Sequence, residues 1–122
     1  MSARILLVED DDQIREVISD YFSAKSQGCI TIITAGDGDT GLDLIMNDDF
    51  DLIMLDVMLP GIDGFTLCRR IRSKKDVPLL FLTARVSEDD KLYGYELGCD
   101  DYITKPFSLA ELYAKVNALL KR

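Results

Sequence analysis

The sequence predicts a doubly wound α/β domain, in which helices cover both faces of a parallel β-sheet. Two features of the chain indicate this fold class. Short apolar runs alternate with stretches of helical periodicity five times along the 122 residues, and strands that are joined through helices run parallel. Several of the runs, ILLV, LIML and LLFL, are apolar at every position, which is expected of strands that are buried on both faces.

The first unit of this pattern begins at the start of the chain. Residues from Arg4 to Val8 form an apolar run that predicts a strand, and an acidic loop follows it. Apolar side chains then recur with the spacing of one helix face: Ile14, Val17, Ile18, Tyr21 and Phe22. We therefore expect a strand, a loop and an amphipathic helix in that order.

Four further units follow along the chain. The predicted strands lie around 30–34, 51–55, 79–82 and 101–103. The predicted helices lie around 39–47, 64–72, 87–97 and after Ser108. Five units leave no room for a second domain, so a single domain over residues 1–122 is expected.

Capping residues support the boundaries of the later helices. Ser87 with Asp90 and Ser108 with Glu111 have the spacing of a capping box at a helix start. Gly98 stands where a glycine commonly ends a helix. These three signals bracket the fourth helix and predict the start of the fifth.

The charge balance and one missing residue type limit the possible functions. The chain has 22 acidic and 14 basic residues and a formal net charge of −8, which opposes direct binding to nucleic acid phosphates. It contains no histidine, which excludes histidine-based catalytic triads and a phosphohistidine carried by this chain. The titratable chemistry must therefore rest on carboxylates, lysine and hydroxyl groups.

The sequence offers no candidate membrane span and no candidate disulfide. No apolar run approaches the ~20 residues of a span, and the apolar start is too short for a secretory signal. Cys29, Cys68 and Cys99 are widely spaced in apolar contexts, so neither a CxxC redox pair nor a zinc site can be drawn. We expect a cytoplasmic protein with buried, reduced thiols.

Polar residues follow the predicted strands at their carboxyl ends, where function lies in open parallel sheets. If the strand order is the flavodoxin-like 2-1-3-4-5, the ends of strands 1, 3, 4 and 5 meet at one crevice. The residues that follow these strands are Glu9, Asp10, Asp11, Asp56, Thr83 and Lys105. Three or four carboxylates are therefore expected to share a small volume.

Such a group of carboxylates implies a bound cation. Like charges packed together would force some carboxyls to protonate unless a cation intervenes, and oxygen ligands alone favour Mg²⁺ over zinc. Mg²⁺ beside a carboxylate, an ammonium and a hydroxyl is suited to phosphoryl transfer, with Asp56 as the nucleophile that forms an acyl phosphate. A simpler interpretation is that each acidic residue only caps a helix or turn, but their joint placement with Thr83 and Lys105 favours the functional one.

A second motif points to a different function. Residues 36–41, GDGDTG, match the dinucleotide-binding pattern GxGxxG, and Asp56 follows at the distance expected of a ribose-binding acid. However, Asp37 and Asp39 would repel a pyrophosphate, and the second strand is expected at the edge of the sheet, away from the crevice. We therefore expect the glycines of this segment to form turns.

Four segments of the chain resemble the signature segments of response-regulator receiver domains. They are VEDDDQIR, DLIMLDVMLPGIDGFTLCRRIR, VPLLFLTAR and LGCDDYITKPFSLAEL, and the resemblance covers essentially the whole chain. The last segment is further similar to the OmpR/PhoB-like branch, whose members usually carry a C-terminal winged-helix DNA-binding domain. The resemblance implies a phosphorylation switch of a bacterial two-component system.

The resemblance also implies a set of metal ligands. Asp56 would accept the phosphoryl group and bind Mg²⁺, Asp10 would bind Mg²⁺ directly, and the backbone carbonyl of Met58 would complete the protein ligands. Glu9 would support the metal. Because many members have aspartate at the position of Glu9, both direct and water-mediated contact remain open.

Three further residues match the switch machinery of the family. Lys105 would pair with phosphate oxygens, Thr83 would hydrogen-bond the phosphoryl group, and Tyr102 matches the aromatic residue that turns inward when Thr83 moves. Lys105-Pro106 resembles the cis peptide bond of the family. Arg85 and Met58 flank the site at positions that tune phosphoryl lifetime in receiver domains.

The predicted output surface consists of the fourth helix, the fifth strand and the fifth helix. The resemblance implies a homodimer through this face after phosphorylation. Its charged residues are Lys91, Glu96, Asp101, Glu111 and Lys115, a set of mixed sign that suits a symmetric interface.

The sequence thus favours a switch that is phosphorylated by a sensor histidine kinase and acts on DNA only through a further C-terminal domain. The chain ends where such branch members begin a linker to that domain, so we expect it to be part of a longer protein. The alternative is a pseudo-receiver, an interaction module of the same fold that signals by binding alone. The intact set of Asp10, Asp56, Thr83 and Lys105 argues against the alternative, because a scaffold need not retain a charged pocket that lowers stability.

Overall fold

A computed structural model of the chain describes residues 2–121. Its five parallel strands form one sheet in the order β2-β1-β3-β4-β5, which confirms the predicted flavodoxin-like topology. The strands are β1 (Ala3–Val8), β2 (Ile30–Ala35), β3 (Leu52–Leu55), β4 (Leu79–Thr83) and β5 (Asp101–Thr104). The helices are α1 (Asp12–Ser26), α2 (Gly38–Asn47), α3 (Gly64–Arg72), α4 (Glu88–Leu97) and α5 (Leu109–Leu120).

Each strand contributes to both faces of the sheet, because successive side chains point in opposite directions. In β1, Leu6 and Val8 belong to the core cluster under α2, α3 and α4, whereas Ile5 and Leu7 belong to the cluster under α1 and α5. The strands are therefore apolar throughout and buried on both sides. The core on both faces of the sheet therefore fixes the position at which each strand ends.

The register of the strands sets the position of the residues that follow them. Val8 pairs with Leu55 across β1 and β3, so Glu9 and Asp56 emerge side by side at the carboxyl edge of the sheet. The backbone N–H of Asp56 donates to the carbonyl of Val8 at 3.1 Å. The central strands therefore deliver two carboxylates to one place.

The prediction of buried thiols is wrong for one cysteine. Cys68 and Cys99 are buried, but Cys29 is exposed. The helix before it ends with the left-handed residues Gln27 (φ 54°) and Gly28 (φ 80°), and this turn brings the chain back across the surface. The apolar neighbours of Cys29 in the sequence belong to the start of β2, not to its own environment.

The prediction of turn-forming glycines in GDGDTG is also wrong for two of them. Gly38 and Gly41 lie in α2, and neither has positive φ. A Cβ atom on Gly38 would lie 1.8 Å from the carbonyl oxygen of Ile62, and one on Gly41 would lie 2.9 Å from Cγ2 of Val8. These glycines let α2 approach the β3–α3 loop and the sheet, and β2 lies at the sheet edge as predicted.

The amino edge of the sheet brings the two ends of the described chain together. Ala3, Cys29, Leu120 and Lys121 are among the residues that line one cavity of about 340 Å³ there. The carboxyl edge, with its carboxylates, lies at the opposite end of the strands. Across residues 2–121, every helix is too short or too polar to span a membrane.

Candidate functional site

The polar residues predicted to converge do so at the carboxyl edge of the sheet. Carboxylate oxygens of Glu9, Asp10 and Asp56 lie within 4.8 Å of one another. The ammonium group of Lys105 donates to Asp56 Oδ2 at 2.7 Å and also to Glu9 Oε1. We call these four residues the acidic pocket.

Asp56 is positioned by the turn between β3 and α3. Its Oδ1 atom accepts a hydrogen bond from the backbone N–H of Met58 at 3.1 Å. Gly64 begins α3 directly against this turn, since a Cβ atom there would lie 2.1 Å from the backbone carbonyl oxygen of Asp56. Asp63 caps the helix by accepting from the N–H of Thr66 at 2.9 Å. The close approach of α3 therefore fixes the backbone of Asp56 at the edge of the pocket.

The acidic loop after β1 holds Glu9 inward and Asp10 outward. Glu9 is 1% exposed, while Asp10 is exposed. The backbone N–H of Asp11 donates to Glu9 Oε2 at 3.1 Å, and Asp11 in turn caps α1. Arg15 donates to the backbone carbonyl of Glu9 at 2.6 Å and pairs with Asp12. The sequence placed Asp11 in the acidic group at the crevice and gave no role to Arg15, so the support that these two residues give to this loop was not predicted.

The acidic pocket contains three carboxylates and one ammonium group, so its positive charge does not balance its negative charge. Burial alone would lower the pKa of Lys105, but hydrogen bonds and charge from Asp56 and Glu9 outweigh it and raise that pKa, so the ammonium stays charged. Burial raises the pKa of Glu9, and the neighbouring charge of Asp56 adds to the shift, against the hydrogen bond from Lys105. One ammonium therefore does not satisfy the three carboxylates around it.

The donor set fits Mg²⁺. All three acidic side chains present oxygen, the ligand atom that Mg²⁺ prefers, and the cluster combines buried Glu9 and Asp56 with the exposed Asp10. An exposed ligand leaves room for the water molecules that Mg²⁺ usually keeps.

Thr83 and Tyr102 lie beside the pocket and are linked through one residue. Thr83 is fully buried, and its carbonyl accepts from the N–H of Lys105 at 2.9 Å. Tyr102 is turned inward, and its hydroxyl donates to the carbonyl of Arg85 at 2.7 Å. The Arg85 N–H donates to Thr83 Oγ1 at 3.2 Å. Burial, with the charge of Asp90 and other neighbours, raises the pKa of Tyr102 to about 12, so the phenol remains a hydrogen-bond donor at neutral pH.

The charged residues of the predicted output surface are exposed or half-buried, and two of these charges already meet within the chain. Lys115 Nζ lies 3.2 Å from Asp101 Oδ2. Glu96 and Glu111 are exposed, and Lys91 is half-buried.

Lys105-Pro106 is a cis peptide bond, as the resemblance implied.

The fold and the pocket together define a class of protein: a doubly wound α/β domain with an acidic pocket and a lysine at the carboxyl edge of its sheet. Residues 5–117 match the model of the response regulator receiver domain. The chain belongs to that family, and it is a receiver domain of a two-component response regulator. Members of this family generally act as phosphorylation switches and interact with histidine kinases.

Solved structures of receiver domains from several bacteria are similar to this chain. The receiver domain of a Francisella response regulator is 36% identical, with a TM-score of 0.92, and the match covers 99% of this chain and 98% of that one. The activated N-terminal receiver domain of Klebsiella pneumoniae RstA is 33% identical, with a TM-score of 0.90 and coverage of 98% and 99%. The non-phosphorylated receiver domain of Leptospira biflexa HemR is 33% identical, with a TM-score of 0.89 and coverage of 99% and 96%.

Proposed function

We propose that this chain accepts a phosphoryl group on Asp56 from the phosphohistidine of a sensor histidine kinase, in a reaction that requires Mg²⁺. The observation that carries the proposal is the contact of Asp56 Oδ2 with Lys105 Nζ at 2.7 Å, beside Glu9 and Asp10. This arrangement surrounds one carboxylate with the groups that phosphoryl transfer needs, and the family assignment supports it.

In the proposed reaction, a carboxylate oxygen of Asp56 attacks the phosphorus atom of the donor. A P–O bond forms, the P–N bond of the phosphohistidine breaks, and its electron pair stays on the imidazole nitrogen. Mg²⁺ held by Glu9, Asp10, Asp56 and the carbonyl of Met58 would neutralise charge on the phosphoryl oxygens. Lys105 would pair with one of these oxygens, and the Thr83 hydroxyl would donate to another. Attack of water on phosphorus would later release inorganic phosphate and restore the carboxylate.

The test is the intact mass of the protein after incubation with acetyl phosphate. Wild type should gain one phosphoryl group in the presence of Mg²⁺ and none in the presence of EDTA. Asp56→Ala should gain none under either condition. Asp76→Ala is the matched control, because Asp76 is exposed and lies away from the pocket. A folded, Mg²⁺-binding wild type that gains no phosphoryl group would contradict the proposal and favour a pseudo-receiver.

We further propose that phosphorylation promotes a homodimer through the surface formed by α4, β5 and α5. The mixed charges of Lys91, Glu96, Asp101, Glu111 and Lys115 support this surface. Because Lys115 is bound to Asp101 within the chain, dimerisation would exchange that intrachain pair for contacts with the partner. Light scattering should report a dimer only for the phosphorylated protein at tens of micromolar, and Glu111→Lys should weaken it. A phosphorylated protein that remains monomeric would contradict this part.

The output that we propose for the switch follows from the resemblance of the chain to the OmpR/PhoB-like branch. We propose that residues 1–122 act as the receiver domain of a bacterial, cytoplasmic transcription regulator. A C-terminal effector domain would contact DNA. The net charge of −8 supports a division of labour in which the receiver itself does not bind DNA. Phosphorylation of the full-length protein should raise its affinity for DNA, whereas the chain alone should show none in a gel-shift assay.

A further inference from the structure

Arg85 contacts residues of four elements of the fold: β4, β5, α3 and α4. Its backbone N–H and carbonyl bind Thr83 of β4 and Tyr102 of β5, as described above. Its side chain reaches the first turns of two helices: Nε donates to Asp90 Oδ1 of α4 at 3.0 Å, and the guanidinium carbon lies 5.7 Å from the ring centroid of Phe65 in α3.

The guanidinium also borders the acidic pocket. Arg85 lines a cavity of about 510 Å³ together with Asp10, Val57 and Met58. Arg85 is the one cation among the residues that line this cavity. Its side chain is 51% exposed, whereas that of Asp90 is 18% exposed. Arg85 therefore has open space on the side of Asp10 and Met58 and pairs with one carboxylate, that of Asp90, on the side of α4.

The first turn of α4 has few other attachments. Gly94 is the one buried residue of α4, and the first turn carries three acidic residues, Glu88, Asp89 and Asp90. Ser87 caps the helix by accepting from the N–H of Asp90 at 3.1 Å. The pair between Arg85 and Asp90 is therefore one of the few contacts that attach this turn to the rest of the domain.

A phosphoryl group on Asp56 would change the balance of charge around Arg85. It replaces the single negative charge of the carboxylate with the charge of about −1.5 to −2 that a phosphoryl group carries, and it adds three strong acceptor oxygens. Guanidinium groups bind such oxygens in bidentate fashion. Lys105 contacts Glu9 and Asp56 in the unmodified protein, and in the proposed reaction it pairs with one phosphoryl oxygen. Arg85 is a further cation near this charge, because it lines the same cavity as Asp10 of the acidic pocket and Val57, the residue after Asp56.

We propose that Arg85 acts in the switch together with Thr83. Its guanidinium binds Asp90 when Asp56 is unphosphorylated and binds the phosphoryl group when Asp56 is phosphorylated. Its movement releases the first turn of α4, which is part of the proposed dimer surface. This inference rests on the proposed phosphorylation of Asp56. It adds to the hydroxyl of Thr83 a charged group that senses the same phosphoryl group.

The test combines hydrogen exchange of α4 with a direct view of the guanidinium. In the unmodified protein, Asp90→Asn should raise exchange of the first-turn amides of α4 roughly two- to fivefold, the range expected of a partly exposed ion pair. Asp89→Asn, in the same turn, is the matched control and should change little. Beryllofluoride with Mg²⁺, as a phosphoryl mimic, should raise wild-type exchange to the Asp90→Asn level and add little to that variant.

The guanidinium itself is followed by NMR. The Arg85 Nε–H signal, identified as the one missing from Arg85→Lys, should shift when beryllofluoride binds. In Arg70→Gln, which alters an exposed arginine of α3, the same shift should persist.

The possible failures are distinguishable. Absence of any beryllofluoride adduct or phosphoryl group on Asp56, read from NMR and intact mass, would overturn both the proposed function and this inference. Full occupancy of Asp56 with unchanged α4 exchange and an unmoved Arg85 signal would overturn this inference alone. If beryllofluoride raised the exchange of the α4 amides equally in wild type and in Asp90→Asn, this inference would also be overturned. Beryllofluoride and the Asp90→Asn substitution would then act through separate contacts.

Discussion

At the scale of single residues, the pocket concentrates the polar groups that the rest of the core avoids. Glu9, Asp56 and Thr83 are the buried polar or charged residues of the described chain, and all three lie at the carboxyl edge of the sheet. Burying ionised groups is costly unless they are paired and hydrogen-bonded. Within residues 2–121, no buried side-chain nitrogen or oxygen lacks a partner, so this cost is offset locally.

Gly64 lies so close to the backbone of Asp56 that a larger residue would not fit beside the acidic pocket. Gly64→Ala should lower the free energy of unfolding by about 3 kcal/mol, the upper part of the range for overpacking, because the added Cβ would meet the Asp56 backbone at 2.1 Å. Urea denaturation measures this loss. Gly36→Ala is the comparison: its Cβ would meet only the flexible Arg15 side chain at 3.3 Å, so a loss below about 1 kcal/mol is expected. Equal losses would show that backbone proximity is not the cause.

The three cysteines should differ in reactivity with iodoacetamide at pH 8. Burial raises the pKa of Cys68 to about 11 and that of Cys99 to about 12, from an ordinary value near 9. Because the thiolate is the reactive form, the native protein should be alkylated at Cys29 alone, and the urea-unfolded protein at all three positions. Mass spectrometry of peptides measures this. Modification of Cys68 or Cys99 in the native state at the rate of Cys29 would contradict the assignment.

The same two thiols should make the protein less stable at alkaline pH. Their folded-state pKa values lie above the unfolded value, so the unfolded state loses protons first as pH rises. Their contribution to stability is therefore complete below pH 9 and is lost between about pH 9 and 12. Urea denaturation as a function of pH should show a shallower decline over this range for Cys68→Ala than for wild type.

At the scale of elements, every helix start is capped by a side chain, but sequence patterns found only some of the caps. Ser87 and Ser108 were recognised by their capping-box spacing. Asp11, Asp37 and Asp63 also cap helices, although the sequence presented them as members of acidic clusters or motifs. An aspartate before a helix serves equally as cap and as ligand, and only the geometry separates Asp11, a cap, from Asp10, a pocket residue.

The helix faces show the same limit. The apolar spacing in α1 predicted an inner face, and Ile18 and Phe22 are indeed fully buried. Val17, which fits the same spacing, is 48% exposed, because it lies at the margin of the apolar stripe. Periodicity identifies a helix and its approximate face, whereas the neighbouring elements decide where burial stops.

The cap of α5 offers a direct test of these assignments. Ser108→Ala should lower the free energy of unfolding by about 1 kcal/mol, because the N–H of Glu111 would lose the Ser108 Oγ acceptor at 3.2 Å. Ser108→Asp should retain most of the stability, since aspartate is an equally good cap. Urea denaturation compares the variants. An Asp variant as unstable as the Ala variant would indicate that the serine is needed for another reason.

At the scale of the whole molecule, the order of the strands brings the residues of the acidic pocket together. The alternating apolar runs predicted a parallel sheet, whereas the order 2-1-3-4-5 was taken from the flavodoxin-like topology and is confirmed by the structure. The convergence of Glu9, Asp56 and Lys105 follows from it. The detailed contacts do not follow, because they depend on distances of a few ångströms between segments far apart in sequence. Arg15 on the Glu9 carbonyl and Arg85 on Asp90 are two such contacts.

Mg²⁺ should stabilise the entire domain. At a Mg²⁺ concentration a hundredfold above its Kd, the free energy of unfolding should rise by about 2.7 kcal/mol, because the ion binds the folded state. Asp10→Asn should lose most of this gain, whereas Asp20→Asn, an exposed position in α1, should keep it. Urea denaturation at matched ionic strength separates specific binding from general screening of the net charge of −8. An equal gain in both variants would exclude Asp10 as a ligand.

The cavity at the amino edge has a consequence for how the chain can be rearranged. Ala3 and Lys121 line the same cavity, so a short peptide could join the two ends far from the acidic pocket. Chains whose ends lie close together tolerate circular permutation at exposed turns, and the Gln27–Gly28 turn is exposed. A permuted chain that begins there would keep every neighbour of Asp56 while changing the order in which the units are synthesised. The pocket is thus a property of spatial adjacency among strands, and the linear order of the gene is one of several that would build it.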